Sequence, residues 1–370
     1  MRIGVLTTSY PRAATDPAGT FVAGLARWLH GTGAEVEVVA AGPGGKSDAN
    51  GAIRVHRVDA PGLFYGGGAP EALARSRRAW VAAGWFGVRF AAVAAARARR
   101  WDALISHWLL PCGLVGAALA RGRPHVAVAH SGDVHLLEQL PARALLARVL
   151  GRQRLVFVSA DLKARFARLA PARAAAVLPM GTDLVPAPLP DPPARPFTVL
   201  ALARLSPIKG IPVLLRAAAA LPDVRFLIAG AGANDGPEAA RLRAAAPAHV
   251  DMLGELRGAD KLRALQEAHV VCVPSVVLPD GRTEGSPVVV AEALAAGRPL
   301  VASRTGGLPD AVGDAGLLVP PGDPVALAAA LARLRDDRRL NAILAARARS
   351  RASVQNWSQI GPRILNLLHA

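Results

Sequence analysis

The chain has only two cysteines in 370 residues, Cys112 and Cys272, and both lie in apolar runs. This scarcity excludes a disulfide-stapled scaffold and indicates buried thiols in a reducing compartment. No secretory signal is visible, because the first apolar run is only as long as a short strand and stops at Tyr10. We therefore expect a cytoplasmic protein.

Several motifs of phosphate and metal chemistry are also missing. The sequence has no Asp-x-Asp after a strand, no Walker loop, no zinc-ligand spacing and no Gly-x-Ser-x-Gly motif. We therefore expect no metal site and no cofactor. Any phosphate charge on a ligand must then be met by arginine, lysine and helix amides.

Acidic residues are few relative to basic ones, 27 against 44, and the net charge is +17. Residues 1–183 carry a net charge of +12 and residues 184–370 a net charge of +5. A basic surface attracts nucleic acid, anionic membranes or phosphorylated ligands. We expect no nucleic-acid partner, because no helix-turn-helix, zinc or interleaved aromatic and basic motif is present. An anionic membrane surface is the better match.

One segment bears on the membrane directly. Residues 79–96 are apolar apart from Arg89, and arginines precede and follow them within residues 75–100. The length would suit a spanning helix, but Arg89 and two glycines argue against it. Two interpretations remain: a surface helix that lies in anionic lipid, or an ordinary helix packed on its sheet with an arginine-rich exposed end.

Short β-rich apolar runs alternate with longer helical segments throughout, which predicts an α/β fold with parallel sheets. Six prolines within 185–196 predict a semi-rigid linker over 184–196, between doubly wound domains 1–183 and 197–352. A last helix over 353–370 has one apolar face that needs a partner. The predicted strands are Ile3–Thr7, Val36–Ala40, Arg54–Val58, Ala103–Ser106, His125–Ala129, Leu155–Val158, Ala175–Leu178, Thr198–Leu202, Val224–Ala229, Val250–Leu253, Val270–Val273, Pro299–Ala302 and Gly316–Val319.

Two carboxylates stand eight residues apart, Glu284 and Glu292, around a Gly-Ser-Pro sequence. Ser286 is predicted to be the N-cap of a helix and Pro287 its first residue. The following amides would point toward an anion placed before the helix, while the carboxylates could bind hydroxyls. This pattern is typical of a site for a phosphorylated sugar. The predicted anion-binding amides are those of Val288 and Val289.

Two cations follow the predicted strand Thr198–Leu202. Arg204 and Lys209 are five residues apart at the carboxyl end of that strand. Arginine can bind two phosphate oxygens and lysine acts as a point charge, so the pair suits a diphosphate. Two solvated loop cations are the alternative interpretation.

Glycine-containing loops follow other strands of the same half. Gly230 and Gly232 could let a nucleotide approach the backbone, and Thr305-Gly306 forms a similar loop after the strand ending at Ala302. Each pattern alone is weak, since such sequences also occur in plain turns. In the first half, Gly19 precedes a helix and would present its first amides.

Polar and aromatic residues end two strands of the first half. His107 and Trp108 follow one strand, and His130 and Asp133 follow the next. In open α/β sheets ligands bind beyond the carboxyl ends of the strands, so these side chains are candidates for a ligand site.

Together these motifs resemble those of the retaining GT-B glycosyltransferases with an E-x7-E motif, family 4. The resemblance is carried by Arg204…Lys209-Gly210, Ala229–Gly232, Glu284 to Glu292 and Thr305–Pro309, and extends to the first-half loops. It implies two Rossmann-like domains facing across a cleft, with the C-terminal helix crossing back to the N-terminal domain. One departure is Gly-Ser-Pro-Val after Glu284, where many relatives have Gly-Phe-Gly-Leu-Pro.

The resemblance also implies roles for individual residues. Glu292 would hold the donor ribose and Glu284 the transferred sugar, while Arg204 and Lys209 would neutralise the leaving diphosphate. His130 would lie beside the reacting centre. The acceptor would meet domain 1–183, at His107, Trp108 and Asp133, and the donor would meet domain 197–352. The further donor-binding residues implied are Gly19, Gly230, Gly232, Ser286, Pro287, Val288, Val289, Thr305 and Gly306.

The reaction implied is transfer of a hexose from a nucleoside diphosphate, of UDP or GDP type, with retention and without metal. The acceptor would be a saccharide or a lipid-linked sugar, and the basic first half favours one reached from the inner face of the cell membrane. Two other functions stay open: a nucleotide-sugar epimerase on the same fold, and a non-catalytic membrane-associated adaptor.

Overall fold

The computed structural model describes residues 1–13, 16, 18–43, 47–60, 62–65, 69–183, 189–230 and 237–369. The chain divides into two compact units. Unit 1 comprises Met1–Asp183 and Trp357–Ala370, and unit 2 comprises Leu184–Asn356. The predicted linker falls partly outside the described residues, and the remainder belongs to unit 2.

Unit 1 contains an eight-stranded sheet in the order β3-β4-β2-β1-β5-β6-β7-β8. Every neighbouring pair is parallel except β3 and β4. Its central strands are apolar on both faces because helices cover both sides of the sheet. The strands are β1 (Arg2–Thr7), β2 (Glu35–Ala41), β3 (Ser47–Asn50), β4 (Ile53–Val58), β5 (Ala103–His107), β6 (His125–Ala129), β7 (Arg154–Phe157) and β8 (Ala174–Val177). The helices are α1 (Thr20–Gly31), α2 (Ala69–Arg75), α3 (Arg77–Ala98), α4 (Leu114–Ala120), α5 (Gly132–Gln139), α6 (Arg143–Gly151) and α7 (Ala160–Ala167).

Unit 2 contains a six-stranded parallel sheet in the order β11-β10-β9-β12-β13-β14. The strands are β9 (Thr198–Leu202), β10 (Arg225–Ala229), β11 (Val250–Gly254), β12 (Val270–Val273), β13 (Leu300–Ser303) and β14 (Gly316–Val319). The helices are α8 (Ile211–Ala219), α9 (Pro237–Ala244), α10 (Gly258–Glu267), α11 (Val288–Ala295), α12 (Leu308–Val312), α13 (Pro324–Asp336) and α14 (Arg338–Arg351).

The last helix, α15 (Trp357–His369), belongs to unit 1 and packs against α1. It begins four residues later than expected, because a 3-10 turn occupies Ala352–Gln355. Trp357 is 3% exposed, and a Cβ at Gly24 would lie 2.2 Å from its Nε1. Only a glycine on α1 allows this close contact, which buries the apolar face of α15.

The strand order reverses once in each sheet. In unit 1 the chain builds outward from β1 through β2 and then resumes on the other side with β5. In unit 2 it builds from β9 through β10 and β11 and resumes with β12. Loops that leave such a switch point in opposite directions open a crevice, where ligands bind in doubly wound sheets. The two switch points therefore locate the candidate sites.

All thirteen strands predicted from the sequence are present, with ends that agree within one residue. The edge strand β3 was missed. Its sequence, Ser-Asp-Ala-Asn, has turn-forming residues of low β propensity, and it is a strand only because it pairs with β4.

Candidate active site

The switch point of unit 2 holds an ion pair between two residues that the sequence singled out. Lys209 Nζ lies 2.7 Å from Glu284 Oε1. Lys209 ends the turn that follows β9, whereas Glu284 lies on the loop that follows β12. Ser275 Oγ donates to the same carboxylate oxygen at 3.4 Å. Glu284 is only 8% exposed, so its charge is stabilised by fixed partners more than by water.

Two glycines let the loops around this pair approach one another. Gly210 has a φ of 65°, and a Cβ there would lie 2.0 Å from the carbonyl oxygen of Pro274. Gly306 has a φ of 54°, and its Cβ would lie 2.1 Å from the carbonyl oxygen of Glu284. The Gly307 amide donates to that carbonyl at 3.0 Å. The loops after β9, β12 and β13 therefore hold each other in place.

Gly230 has a comparable packing role at the end of β10. A Cβ at Gly230 would lie 1.6 Å from the carbonyl oxygen of Ala203 and 3.3 Å from the amide of Arg204. This glycine lets the β9 loop cross β10, while its predicted contact with a nucleotide stays a prediction. Gly232 lies outside the described residues.

The two predicted phosphate-binding cations lie on the same loop. Arg204 is exposed at the start of the β9 loop, and the side chain of Lys209 is largely buried at its end. Thr305, a further predicted donor-binding residue, is buried, and its amide donates to the Ser303 carbonyl at 2.9 Å. Lys209 lies beside Glu284 and Arg204 begins the same loop, an arrangement that suits a diphosphate, and that role stays a prediction.

Helix α11 starts one residue later than the sequence predicted. Pro287 has a φ of −64° and a ψ of 126°, so it is the N-cap, and Val288 is the first helical residue. The prediction of Ser286 as N-cap was therefore wrong. The proline ring fixes φ at a value that helix and extended chain share, so ψ alone decides where the helix begins. The amides of Val288 and Val289 remain in the first turn, where no intrahelical acceptor exists.

The second motif carboxylate has a partner that the sequence analysis missed. Lys261 Nζ, on α10, lies 2.7 Å from Glu292 Oε1, on α11. Both side chains are at least two-thirds buried. The composition gave one indication of this partner, because lysine is rare in the chain, with only four among its 44 basic residues. Two of those four, Lys209 and Lys261, pair with the two motif glutamates.

The switch point of unit 1 holds a histidine pair. His107 Nδ1 lies 3.0 Å from His130 Nε2, and the two rings stack at 5.2 Å between centroids. Trp108 and Phe21 pack against His130 at 4.7 and 5.1 Å. Phe21, from the start of α1, was not among the predicted residues because an aromatic in a helix is ordinarily a core residue.

Burial decides the charge of both histidines. It lowers the pKa of His107 to about 3. Burial, and next the neighbouring His107, lower the pKa of His130 well below its usual value. Both rings are therefore neutral near pH 7, where each offers one N–H donor and one acceptor nitrogen.

Asp133 holds the two loops that carry these rings. Its buried carboxylate accepts the amides of Leu109 at 2.7 Å, His130 at 3.0 Å and Ser131 at 2.9 Å. Burial raises the pKa of Asp133, and the amide hydrogen bonds oppose that rise. Trp108 and Ser131 have positive φ values of 68° and 125°, which non-glycine residues rarely adopt. Asp133 is therefore a positioning residue, and its predicted contact with an acceptor stays a prediction.

Gly19 lies at the same switch point, on the loop after β1. Its φ is 67°, and a Cβ would lie 2.2 Å from the carbonyl oxygen of Ser9. The tight approach sets the start of α1, whose first residues include Phe21. Within the described part of the chain, no three His, Cys, Asp or Glu side chains are placed to share a metal ion.

Two family models match the chain. The model described as Glycosyltransferase Family 4 matches residues 18–185, and the model described as Glycosyl transferases group 1 matches residues 196–337. Together they cover most of both units, one on each side of the predicted linker.

Curated relatives match over part of their length. A phosphatidyl-myo-inositol mannosyltransferase of Mycolicibacterium smegmatis is 36% identical over 231 residues, which are 60% of this chain and 57% of the relative. A D-inositol 3-phosphate glycosyltransferase of Saccharomonospora viridis is 37% identical over 186 residues, 46% of this chain and 42% of the relative. The chain thus spans about half the length of the curated relatives it matches.

Solved structures match the whole chain. The match to a sucrose-phosphate synthase of Thermosynechococcus elongatus covers 100% of this chain and 98% of the synthase chain, with a TM-score of 0.73 at 22% identity. HepE of Anabaena in complex with UDP and glucose covers 100% of both chains, with a TM-score of 0.72 at 20% identity. The predicted GT-B fold class, with two Rossmann-like doubly wound domains, is confirmed.

Proposed function

Because the chain belongs to the glycosyltransferases of group 1 and family 4, we propose that it moves a hexose-type sugar from a nucleoside diphosphate to a hydroxyl. The acceptor in this proposal is a saccharide or a lipid-linked sugar. The observation that carries it is the Lys209–Glu284 pair, 2.7 Å apart at the switch point of unit 2. Both side chains lie at the carboxyl ends of the sheet's central strands. The cation suits the diphosphate of a nucleotide sugar, and the buried carboxylate suits the hydroxyls of its sugar ring.

Each of the four charged residues has a distinct part in this proposal. Arg204 and Lys209 stabilise the negative charge that develops on the leaving diphosphate. Glu284 accepts hydrogen bonds from hydroxyls of the transferred sugar, and Glu292 accepts them from the ribose. Charge stabilisation of the leaving group is ordinarily the largest single contribution to such catalysis. In unit 1, His130 is proposed to lie beside the reacting centre.

The proposed transfer retains the anomeric configuration and uses no metal. The bond between the anomeric carbon and the diphosphate oxygen breaks, and the acceptor oxygen forms its bond on the same face. The acceptor proton moves to the leaving phosphate oxygen, which gains the electron pair of the broken bond. Two basic side chains at the end of β9, together with the first-turn amides of α11, support a metal-free way to meet that charge.

The donor is proposed to be a UDP or GDP sugar. One structural relative is described in complex with UDP-glucose, and one curated relative is named a GDP-mannose-dependent mannosyltransferase. The acceptor is proposed to lie at the inner face of the cell membrane, where the protein is peripheral. The net charge of +12 on residues 1–183 and the lipid and polysaccharide products in the relatives' names support this.

A donor screen tests the proposal. The purified protein is incubated with UDP-glucose, UDP-galactose, UDP-N-acetylglucosamine and GDP-mannose, with EDTA, and with or without lipid extract. Release of nucleoside diphosphate together with a glycosylated product, whose anomeric linkage is assigned by NMR, supports transfer. A donor sugar that changes its configuration without an acceptor would instead identify an epimerase. Absence of any donor binding or turnover would identify an adaptor.

A further inference from the structure

Helix α3 has one side buried in unit 1. Phe86, Phe90, Ala94 and Ala98 are at most 4% exposed and pack toward β2 and β4. α3 has the length and composition of a membrane-spanning helix, with a mean hydropathy of 1.4. A spanning helix would have to withdraw these side chains from the core. The helix therefore stays on the surface of unit 1.

The opposite side of α3 is apolar and open to solvent. Val81 is 75% exposed, Trp85 65% and Val88 64%. Their spacing of four and three residues places them on one stripe of the helix, and Trp80, 46% exposed, lies beside it. Large aromatic side chains in such positions are otherwise buried or in contact with a partner.

The apolar surface continues onto neighbouring helices. A groove between α3 and α4 is lined by seven apolar residues, among them Ala92, Leu114 and Leu119. Helix α4 contacts α6, where Leu145 is 63% exposed. Large exposed apolar side chains thus lie on two helices, α3 and α6, that both contact α4. Such a set is larger than the scattered single exposures of a monomeric protein.

Charge identifies the partner. Helices α3, α4 and α6 contain no aspartate or glutamate, and no acidic residue occurs anywhere in 72–101. Exposed arginines surround the stripe, at Arg77 and Arg78 before it, Arg89 beside it, and Arg99 after it. A second copy of this surface would bring like charges together, whereas an anionic bilayer offers both an apolar interior and a negative surface.

We propose that α3, α4 and α6 form a membrane-binding surface for an anionic lipid bilayer. Helix α3 lies parallel to the bilayer, with Trp85 at the boundary of headgroups and acyl chains and the arginines at the phosphates. This inference rests on the proposed location of the enzyme at the membrane. It goes further by assigning the contact to particular residues, and it needs neither donor nor acceptor to be tested.

Vesicle sedimentation with the full chain tests this surface. We expect binding to vesicles of phosphatidylglycerol and phosphatidylcholine, and at least tenfold weaker binding to phosphatidylcholine alone. The variant Trp85→Ser with Val88→Ser should lose at least tenfold in partitioning at unchanged thermal stability. Val325→Ser in unit 2 is the matched control, because Val325 is 77% exposed and belongs to a different helix. It should bind like the unaltered protein.

Tryptophan fluorescence provides a second readout. Of the six tryptophans only Trp80 and Trp85 are exposed, since Trp101 and Trp357 are each 3% exposed and Trp28 and Trp108 are partly buried. A blue shift on adding vesicles should therefore come from Trp80 and Trp85 and vanish in Trp80→Phe, Trp85→Phe. Equal binding by Trp85→Ser, Val88→Ser, or no dependence on anionic lipid, would overturn the proposal. So would a dimer in sedimentation velocity that the same substitutions dissociate. Donor turnover is measured in parallel, so a failure of this surface is distinguishable from a failure of the transferase assignment.

Discussion

Lys209 Nζ and Glu284 Oε1 form an ion pair at 2.7 Å, and it joins the loops of the two strands that flank the switch point. The cation proposed for the diphosphate thus contacts the carboxylate proposed for the sugar. Because the pair is largely buried, removal of either partner leaves the other charge without its fixed counter-charge. The two halves of the donor site are therefore coupled through one contact.

This coupling predicts different ligand profiles for the two residues. Lys209→Ala should weaken binding of both the nucleoside diphosphate and the nucleotide sugar. Glu284→Gln should weaken binding of the nucleotide sugar by about tenfold, because the sugar hydroxyls lose a carboxylate acceptor. The nucleoside diphosphate should bind at least as tightly as before, because Lys209 keeps its charge and loses the carboxylate that competes with the phosphates. Calorimetric titration of each variant with both ligands makes the comparison. Equal losses for both ligands in Glu284→Gln would contradict the assignment of its carboxylate to the sugar.

The pair between Lys261 and Glu292 predicts an effect on the ribose. Lys261→Met should release Glu292 from its fixed position and raise the KM for the donor several-fold, with a smaller change in kcat. Lys261→Met should also raise the inhibition constant of a competing nucleoside diphosphate. The rise should be smaller for the 2′,3′-dideoxy nucleotide, because it lacks the hydroxyls that Glu292 would bind. Arg263→Met, an exposed residue on the same helix, is the control and should change neither constant. An equal loss of affinity for the normal and the dideoxy nucleotide would show that Lys261 acts elsewhere.

Gly306 predicts a loss of function that is caused by backbone position alone. In Gly306→Ala the new Cβ would overlap the carbonyl oxygen of Glu284, 2.1 Å away, and displace the carboxylate's loop. Activity should fall by at least tenfold. Gly322→Ala is a matched control, because Gly322 also has a positive φ, of 78°, but no atom within 4 Å of its Cβ position. Comparable losses of activity in both variants would attribute the effect to strain in general and not to the Glu284 loop.

The buried His107 predicts a specific dependence of the free energy of unfolding on pH. Because the pKa of His107 falls from 6.5 unfolded to about 3 folded, the unfolded state binds more protons between these values. Stability should therefore be fully present above about pH 6.5 and decline as the pH falls toward 3. Chemical unfolding of the protein and of His107→Asn across this range measures the difference, and the variant should show the shallower decline. Parallel curves would mean that His107 is already protonated in the folded state.

Asp133 predicts a loss of stability together with a loss of the site's shape. Asp133→Ala leaves three buried amides without their acceptor, and each such group costs about 1–3 kcal/mol. The free energy of unfolding should fall by about 3 kcal/mol or more. Asp251→Ala is the control, since its exposed ion pair with Arg225 is worth at most about 1 kcal/mol. A small and equal change in both variants would remove the positioning role of Asp133.

The sequence predicted the fold well because each signal was local. Apolar runs such as Val270–Val273 are short, rich in β-branched residues and bounded by residues such as His269 and Pro274, so their strands could be placed within one residue. The sites at the carboxyl ends followed from strand positions alone. Both motif glutamates and the cations at Arg204 and Lys209 could be named from the amino-acid order because they are grouped along the chain.

What the sequence could not predict depends on tertiary contacts. The partner of Glu292 lies 31 residues earlier, and no local pattern marks Lys261. The start of α11 depends on the ψ of Pro287, which the proline ring does not fix. Asp133 was named because it follows a strand end, and the contacts of its carboxylate with three backbone amides could not be read from the order of residues. Which residues of α3 face solvent could be assigned only from the structure, which shows the residues that face the core.

The central claim is that the loop of Arg204 and Lys209 stabilises a leaving diphosphate. The most direct test measures release of nucleoside diphosphate during transfer, with EDTA, by the unaltered protein and by Arg204→Ala and Lys209→Ala, with Arg333→Ala as an exposed control in the same unit. We expect each site variant to stay folded and to lose on the order of a hundredfold in kcat, while the control is unchanged. Near-normal turnover in both site variants would contradict the assignment.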